Sequence, residues 1–143
     1  MKRFSATTTI AASPETIWAI LTDATRYPEW DPTVDRIEGT IAPGNKITAY
    51  TKLSPGRAFP VTISTFEPAR KMVWSGGMPL GLFRGDRTFL LTLQGETQTE
   101  VHVEEVFGGP LLPLIGRTLP DMDEAFAQFL AGLKQRAESN VGP

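Results

Sequence analysis

The first candidate for chemistry is a pair of charged residues, Arg87 and Glu105, in two neighbouring predicted strands. Because side chains alternate between the faces of a strand, Arg87 shares a face with Phe89, and Glu105 shares one with Val103. The short turn at residues 94–96 predicts that the two strands pair as a hairpin. Buried charges are rarely unpaired, so we expect an inward Arg87–Glu105 ion pair. Such a pair is either structural or a polar anchor that orients an oxygen of a bound ligand.

The chain offers few other groups for catalysis or metal binding. It has no cysteine and a single histidine, His102, which excludes thiolate sites and a metal site of three histidines. His102 alternates with apolar Val101 and Val103, which predicts a solvent-exposed position. The glycines between Gly76 and Gly85 lack the strand-to-helix context of a phosphate loop, and no glycine-flanked serine elbow is present. We therefore expect no metal and no cofactor.

Two different periodicities show which elements position these groups. From Thr33 to Phe107, apolar residues alternate in short runs between turns, which is typical of a meandering antiparallel sheet. Near the C-terminus they follow helical spacing, at Met122, Phe126, Phe129, Leu130, Leu133 and Ala137. This helix must bury its apolar stripe, and the concave face of the sheet is the only large apolar surface available. A twisted sheet around one helix leaves space between them, so the pattern predicts a binding cavity.

Turn residues divide the chain into seven predicted strands and their connecting helices. The predicted strands are Phe4–Ala12, Thr33–Thr40, Lys46–Leu53, Pro60–Glu67, Lys71–Ser75, Arg84–Leu93 and Thr97–Phe107. The predicted helices cover residues 14–23, with Ser13 as the cap, residues 24–30, a turn of helix at residues 110–116, and a main helix from Asp121 after a break at Pro120. We expect the stretch from Gly76 to Gly85 to be an apolar loop and residues 139–143 to fray.

Length, composition and charge limit the class of protein. With 143 residues, 41% of them hydrophobic and 21% charged, the chain is predicted to form a single domain over residues 1–143. A net charge of −2 argues against nucleic-acid binding, which needs a basic surface. No apolar run is long enough to span a bilayer, and no signal-peptide core follows Met1. We expect a cytoplasmic protein, a monomer or a homodimer, without membrane insertion.

Several stretches of the sequence match a known family pattern. They are AASPETIW at residues 11–18, LTD at 21–23, YPEWDP at 27–32, WSGG at 74–77, LFRG at 82–85, EEVFGGPL at 104–111 and AGLKQRAE at 131–138. Over essentially its whole length, the chain resembles the polyketide cyclase/dehydrase-like branch of the START/Bet v 1 (SRPBCC) superfamily. The resemblance implies an α+β helix-grip fold: a seven-stranded antiparallel sheet around a long C-terminal helix, with two short helices between the first two strands. It also implies a cavity for sterols, lipids, polyketides or other hydrophobic molecules, in proteins that act as carriers, sensors, cyclases or aromatases.

Three functions remain open. The leading hypothesis is a non-catalytic binding protein for a small hydrophobic or amphipathic ligand, such as a lipid, a polyketide or an aromatic metabolite. Its predicted cavity-lining residues are Trp30, Trp74, Arg87, Phe89, Glu105, Phe107, Met122, Phe126 and Phe129. The alternative is a cyclase or aromatase in which Glu105 acts as acid or base, with Tyr27 or Tyr50 as further candidates. A third is a protein-interaction module that binds a partner through the apolar loop Met78–Phe83.

Access to the predicted cavity requires a movable segment. The glycines between residues 76 and 85 permit backbone excursions, so we expect this loop and the short helix at Tyr27 to gate the cavity. The predicted gate residues are Tyr27, Met78, Leu80, Leu82 and Phe83. We expect the last four to rest on the mouth and hide their apolar surface. The alternative is a static lid that completes the core.

Overall fold

A computed structural model describes residues 1–119 and 121–139 of the chain. The seven strands are β1 (Lys2–Ile10), β2 (Val34–Glu38), β3 (Lys46–Thr51), β4 (Ala58–Glu67), β5 (Lys71–Gly77), β6 (Arg84–Gln94) and β7 (Gln98–Gly108). The helices are α1 (Pro14–Leu21), α2 (Tyr27–Trp30), α3 (Leu112–Ile115) and α4 (Asp123–Ser139), with single 3₁₀ turns at Ala24–Arg26, Pro79–Gly81 and Gly116–Thr118. Within these residues no helix is both long enough and apolar enough to cross a membrane.

All seven strands form one antiparallel sheet in the order β1-β7-β6-β5-β4-β3-β2. Strands β2 to β7 follow one another as neighbours, and β1 closes the sheet by pairing with β7. The long helix α4 buries Phe126, Phe129, Leu130, Leu133 and Ala137, the stripe that the helical spacing predicts. The predicted helix-grip fold is therefore confirmed. Pro120 and the end of the chain from residue 140 lie outside the described residues.

The connection between β1 and β2 follows the local signals in the sequence. Helix α1 begins at Pro14, and the Ser13 hydroxyl accepts a hydrogen bond from the Thr16 amide, 3.1 Å away. Its apolar side, which includes Ile17 and Leu21, is buried in the core. Helix α2 follows after one 3₁₀ turn and ends at Trp30, ahead of Asp31-Pro32.

The loop between β5 and β6 is shorter than predicted. Gly76 pairs with Gly85 and Gly77 with Arg84, so the two strands reach further and only residues 78–83 lie outside the ladder. The backbone at Gly77 has φ 141°, and a Cβ there would lie 2.2 Å from the Phe83 carbonyl oxygen. Glycine lets the two strands approach this closely, because it has no Cβ. The high glycine content that predicts a loop here instead allows the strands to extend.

Candidate functional site

The Arg87–Glu105 ion pair forms as the alternation of side chains predicts. The two residues are directly opposite in the β6–β7 ladder, and Arg87 Nε lies 2.7 Å from Glu105 Oε1. The Arg87 side chain is 27% exposed and that of Glu105 is 13% exposed, so both charges are largely removed from water. The guanidinium also lies 5.0 Å from the ring centre of Phe126 on α4. The pair therefore joins the inner face of the sheet to the start of the long helix.

Five buried aromatic residues form a closed circuit of ring contacts between the sheet and α4. The distances between ring centres are 4.6 Å for Tyr27–Trp30, 5.3 Å for Trp30–Phe129 and 5.7 Å for Phe129–Phe89. The circuit closes through Phe89–Trp74 at 5.0 Å and Trp74–Tyr27 at 6.1 Å. We call these five residues the aromatic circuit. They occupy the space in which the sequence predicts a cavity, so this space is packed with side chains.

Two polar groups inside the aromatic circuit lack partners. Among the described residues, the indole N–H groups of Trp30 and Trp74 are buried and donate no hydrogen bond. The two residues are only 7% and 5% exposed. Leaving a buried donor unsatisfied costs about 1–3 kcal/mol, and native proteins keep few such groups. Two such donors in one apolar cluster are free to bond to an acceptor that reaches this part of the interior.

Tyr27 and Asp31 place two further titratable groups beside the circuit. The Tyr27 hydroxyl donates to the Leu21 carbonyl, and burial, followed by the charge of Asp31, raises the Tyr27 pKa well above its ordinary value. Asp31 is buried and accepts hydrogen bonds from the Thr33 amide at 2.9 Å and the Thr33 hydroxyl at 2.6 Å. Burial raises the pKa of Asp31, an effect that these hydrogen bonds and the charge of Arg87 partly offset.

Asp31 gives the folded state a pH dependence of known sign. A raised carboxyl pKa means that the folded state binds the proton more tightly than the unfolded state does. Protonated Asp31 therefore stabilises the fold at low pH, and this contribution is lost as pH rises above 3.8, the ordinary pKa of an aspartate, and through the raised pKa of the folded state. We expect Asp31→Asn, which keeps an oxygen acceptor for Thr33, to reduce this loss. Urea unfolding at several pH values should show that the stability of the wild type relative to Asp31→Asn falls as pH rises. The exposed Asp35, changed to Asn, is the matched control, and a similar trend there would contradict the assignment.

The remaining predicted site residues range from buried to half-buried. Tyr27, predicted in the gate, is buried in the aromatic circuit beside the predicted cavity-lining residue Trp30, because α2 packs directly on α4. Phe107 is buried and Met122 is half-buried. His102, predicted to be exposed, is half-buried between Thr7 and Glu104, with Nδ1 2.6 Å from the Thr7 hydroxyl oxygen.

Three of the predicted gate residues, Met78, Leu80 and Leu82, leave apolar surface exposed. Met78 is 43% exposed, Leu80 95% and Leu82 38%, so the expectation that they rest on the mouth is wrong. Only Phe83 packs inward, stacked 5.6 Å from Phe107. The reason is local: backbone bonds from Met78 N–H to the Phe83 carbonyl and from Leu111 N–H to the Leu82 carbonyl hold the loop so that its side chains point outward.

A surface cleft of about 490 Å³ borders the aromatic circuit from outside. It lies among α1, α2 and α4, and its lining residues are Thr16, Ala19, Ile20, Asp23, Arg26, Trp30 and Arg136. Trp30 belongs both to this cleft and to the circuit, so the cleft and the interior adjoin at this residue. Within residues 1–119 and 121–139, no three histidine or carboxylate side chains are grouped closely enough to hold a metal ion.

The profile of a family described as "Polyketide cyclase / dehydrase and lipid transport" matches residues 1–138. No curated protein matches the chain significantly.

Solved structures share the fold at low identity. An aromatase/cyclase, ZhuI from Streptomyces sp. R1128, is 14% identical with a TM-score of 0.74, over 99% of this chain and 96% of its own. A START superfamily protein from Mycobacterium smegmatis is 20% identical with a TM-score of 0.65, over 96% of this chain and 98% of its own. The Aha1 protein from Colwellia psychrerythraea, solved as a dimer, is 22% identical with a TM-score of 0.72, over 99% of this chain and 100% of its own.

Proposed function

Since the chain belongs to the polyketide cyclase/dehydrase and lipid transport family, in the START/Bet v 1 superfamily, we propose that it binds a small hydrophobic or amphipathic molecule between the sheet and α4. The whole chain acts in this proposal as one ligand-binding domain, with the cytoplasm as its expected location. The residues that contact the ligand are the aromatic circuit and its neighbours Arg87, Glu105, Phe107, Met122 and Phe126.

The unpartnered indole N–H groups of Trp30 and Trp74 carry this proposal. A ligand oxygen that accepts from either one removes the cost of an unsatisfied buried donor, about 1–3 kcal/mol. The surrounding rings supply apolar contact area, which is the usual source of affinity in small-molecule sites. A molecule with an apolar body and one or two oxygen acceptors fits both features.

The ion pair supplies orientation rather than affinity. Arg87 and Glu105 lie on the inner face at the end of the interior next to Phe126. Charged groups already bonded to each other hold their positions, so a ligand hydroxyl or carbonyl meets a fixed donor and a fixed acceptor. The apolar rings and the ion pair would then recognise the two parts of an amphipathic ligand separately.

Entry requires the aromatic circuit to open, because its side chains occupy the binding space. The cleft among α1, α2 and α4 provides a route, and the Trp30 ring is the side chain that must turn aside. Movement of residues 78–83 during entry stays a prediction, and slow amide exchange in that loop, equal to that of β5 and β6, would argue against it.

Thermal shift measurements with fatty acids, sterols and aromatic polyketides test the binding function. We expect at least one class to raise the melting temperature of the wild type, since a ligand that binds only the folded state stabilises it. Trp74→Phe keeps a ring but removes the N–H group, and we expect it to weaken binding about tenfold, equivalent to one hydrogen bond.

Trp18→Phe is the matched control for this experiment, because Trp18 packs on Phe66 outside the aromatic circuit. We expect this variant to keep the ligand response of the wild type. Unchanged melting temperatures for every ligand class would contradict the binding function. Equal ligand responses of Trp74→Phe and Trp18→Phe would show that the Trp74 N–H group does not contribute to binding.

A cyclase or aromatase is the second candidate, and the position of Glu105 favours it. Its carboxylate is largely buried on the inner face beside the proposed ligand. An enzyme of this kind needs a general acid or base held at the substrate. Glu105→Gln separates the two functions: a binding protein keeps its ligand, whereas an enzyme keeps the ligand and loses turnover in a cyclisation assay.

A further inference from the structure

The outer face of the sheet carries a second cluster of reactive side chains, which the proposed ligand site does not use. Val101 and Val103 are buried, so His102 between them lies on the outer face. Thr7 on β1 is its cross-strand neighbour, and the Thr7 hydroxyl oxygen lies 2.6 Å from His102 Nδ1. The other ring nitrogen, Nε2, lies 2.9 Å from Oε1 of Glu104 on β7. A hydroxyl, an imidazole and a carboxylate are therefore in contact in sequence.

The carboxylate determines which nitrogen of the imidazole carries the hydrogen. A carboxylate only accepts hydrogen bonds, so Nε2 of His102 must carry the hydrogen that it donates to Glu104. In the neutral ring Nδ1 then has a lone pair, and the Thr7 hydroxyl donates to it. Arg3 Nε lies 3.8 Å from Oε2 of Glu104, so the carboxylate is contacted at both oxygens. A hydroxyl bonded to a base that a third group orients is the arrangement of an activated nucleophile.

The backbone at Thr7 supplies a further donor. The Ser5 N–H points away from β7 and donates to Asp123 Oδ1 on α4, at 3.1 Å. Because bond direction repeats every two residues in an antiparallel ladder, the Thr7 N–H points to the same open edge of β1. The Thr9 carbonyl on this edge accepts from Lys134 Nζ, but the Thr7 N–H has no partner within the described part of the chain. In acyl transfer, the N–H of the nucleophile's own residue is one of the donors that stabilise the oxyanion.

We propose that Thr7 is a nucleophile that accepts small activated acyl groups, with His102 as its general base and Glu104 as the positioning residue. Thr7 is exposed and the His102 side chain is 29% exposed, so a small reagent reaches both. The Thr7 oxygen forms an ester bond to the acyl carbon, and the bond from that carbon to the leaving group breaks. The Thr7 proton passes through His102 to the leaving group. Because the outer face is open, the acyl donor must itself carry a good leaving group, as in aryl esters and thioesters.

Reaction with p-nitrophenyl acetate tests this inference, because acetylation releases the coloured nitrophenolate ion. Mass spectrometry of peptides from the treated wild type should place one acetyl group on Thr7. We expect Thr7→Ser to keep the reaction, since serine offers the same hydroxyl, and Thr7→Val, which keeps the shape of the side chain, to lose it. Thr9→Val is the matched control and should react like the wild type. Thr9 lies on the same face of β1, but its cross-strand neighbour is Glu100 instead of a histidine.

Variants of the other two residues test their roles. His102→Gln should lower the rate of Thr7 acetylation at least about 100-fold, the usual contribution of a general base. Glu104→Gln should lower the rate at least about tenfold, because an amide can donate as well as accept and no longer fixes the hydrogen on Nε2. All these side chains lie on the outer face, so we expect every variant to melt near the wild type. A purely structural role of Glu104 would change the melting temperature and leave the acetylation rate unaltered.

Two results would overturn the proposal. The first is nitrophenolate release that Thr7→Val leaves unchanged, which would show that the imidazole of His102 reacts by itself. The second is acetylation of Thr7 that is absent, or no faster than that of Thr9, which would show that the contacts of Thr7 are only structural. Neither result affects ligand binding between the sheet and α4, because the cluster lies on the opposite face of the sheet.

Discussion

Replacing Gly132 by alanine is expected to destabilise the fold by about 3 kcal/mol or more. Gly132 lies in α4 where the helix crosses α2, and a Cβ built there would lie 2.0 Å from the Trp30 carbonyl oxygen. The clashing atom belongs to the backbone, so no side-chain rotation relieves it. α4 must move away from α2, which opens the contact between Trp30 and Phe129 in the aromatic circuit.

The sign of this effect distinguishes it from ordinary helix propensity. In a helix interior, alanine is more favourable than glycine by about 1 kcal/mol, so Gly132→Ala would stabilise an unconstrained helix. Urea unfolding of Gly132→Ala and of the exposed Ala127→Gly in the same helix measures both effects. We expect Ala127→Gly to lose about 1 kcal/mol and Gly132→Ala to lose several times more. A Gly132→Ala protein as stable as the wild type would show that α2 and α4 do not approach this closely.

Replacing Arg87 by methionine is expected to cost about 3 kcal/mol of stability. Methionine keeps the apolar stem that packs near Phe126 but leaves the Glu105 carboxylate, only 13% exposed, without its partner. Breaking a buried pair from one side is costly because the remaining charge stays away from water. The loss should therefore come mainly from the unpaired Glu105 rather than from lost packing.

A double-mutant cycle tests that explanation. Arg87→Met combined with Glu105→Gln removes both charges, and we expect the double variant to recover most of the stability that Arg87→Met loses. Denaturant unfolding of the four proteins gives the coupling energy directly. Additive losses in the double variant would mean that the two side chains contribute independently. The exposed pair Arg36–Glu38, at 3.1 Å, is the comparison and should show a coupling below about 1 kcal/mol.

The sequence predicts the faces of strands and helices better than the depth of individual side chains. Alternation along β6 and β7 places Arg87 opposite Glu105, because the period of two is a property of every strand. Helical spacing likewise identifies all five buried residues of α4. Both predictions depend on backbone geometry within one element or one hairpin, and that information is local.

The interior of the site depends on contacts between distant elements, which spacing does not encode. Tyr27 and Trp30 belong to a short helix whose depth is set by α4, through the close approach at Gly132. The burial of Asp31 follows from the same packing, and its sequence context, Asp31-Pro32, signals only the end of a helix. Side-chain direction in residues 78–83 is set by backbone hydrogen bonds to Phe83 and Leu111, which is why Leu80 points outward.

Intrinsic tryptophan fluorescence of the Trp18→Phe variant tests the central claim most directly. The chain has three tryptophans, so this variant reports only Trp30 and Trp74, the two residues with unpartnered N–H groups inside the aromatic circuit. Titration with fatty acids, sterols and aromatic polyketides should give, for at least one class, a saturable spectral change at one ligand per protein. Emission that stays unchanged for every class, in a protein that melts cooperatively, would contradict a ligand site between the sheet and α4.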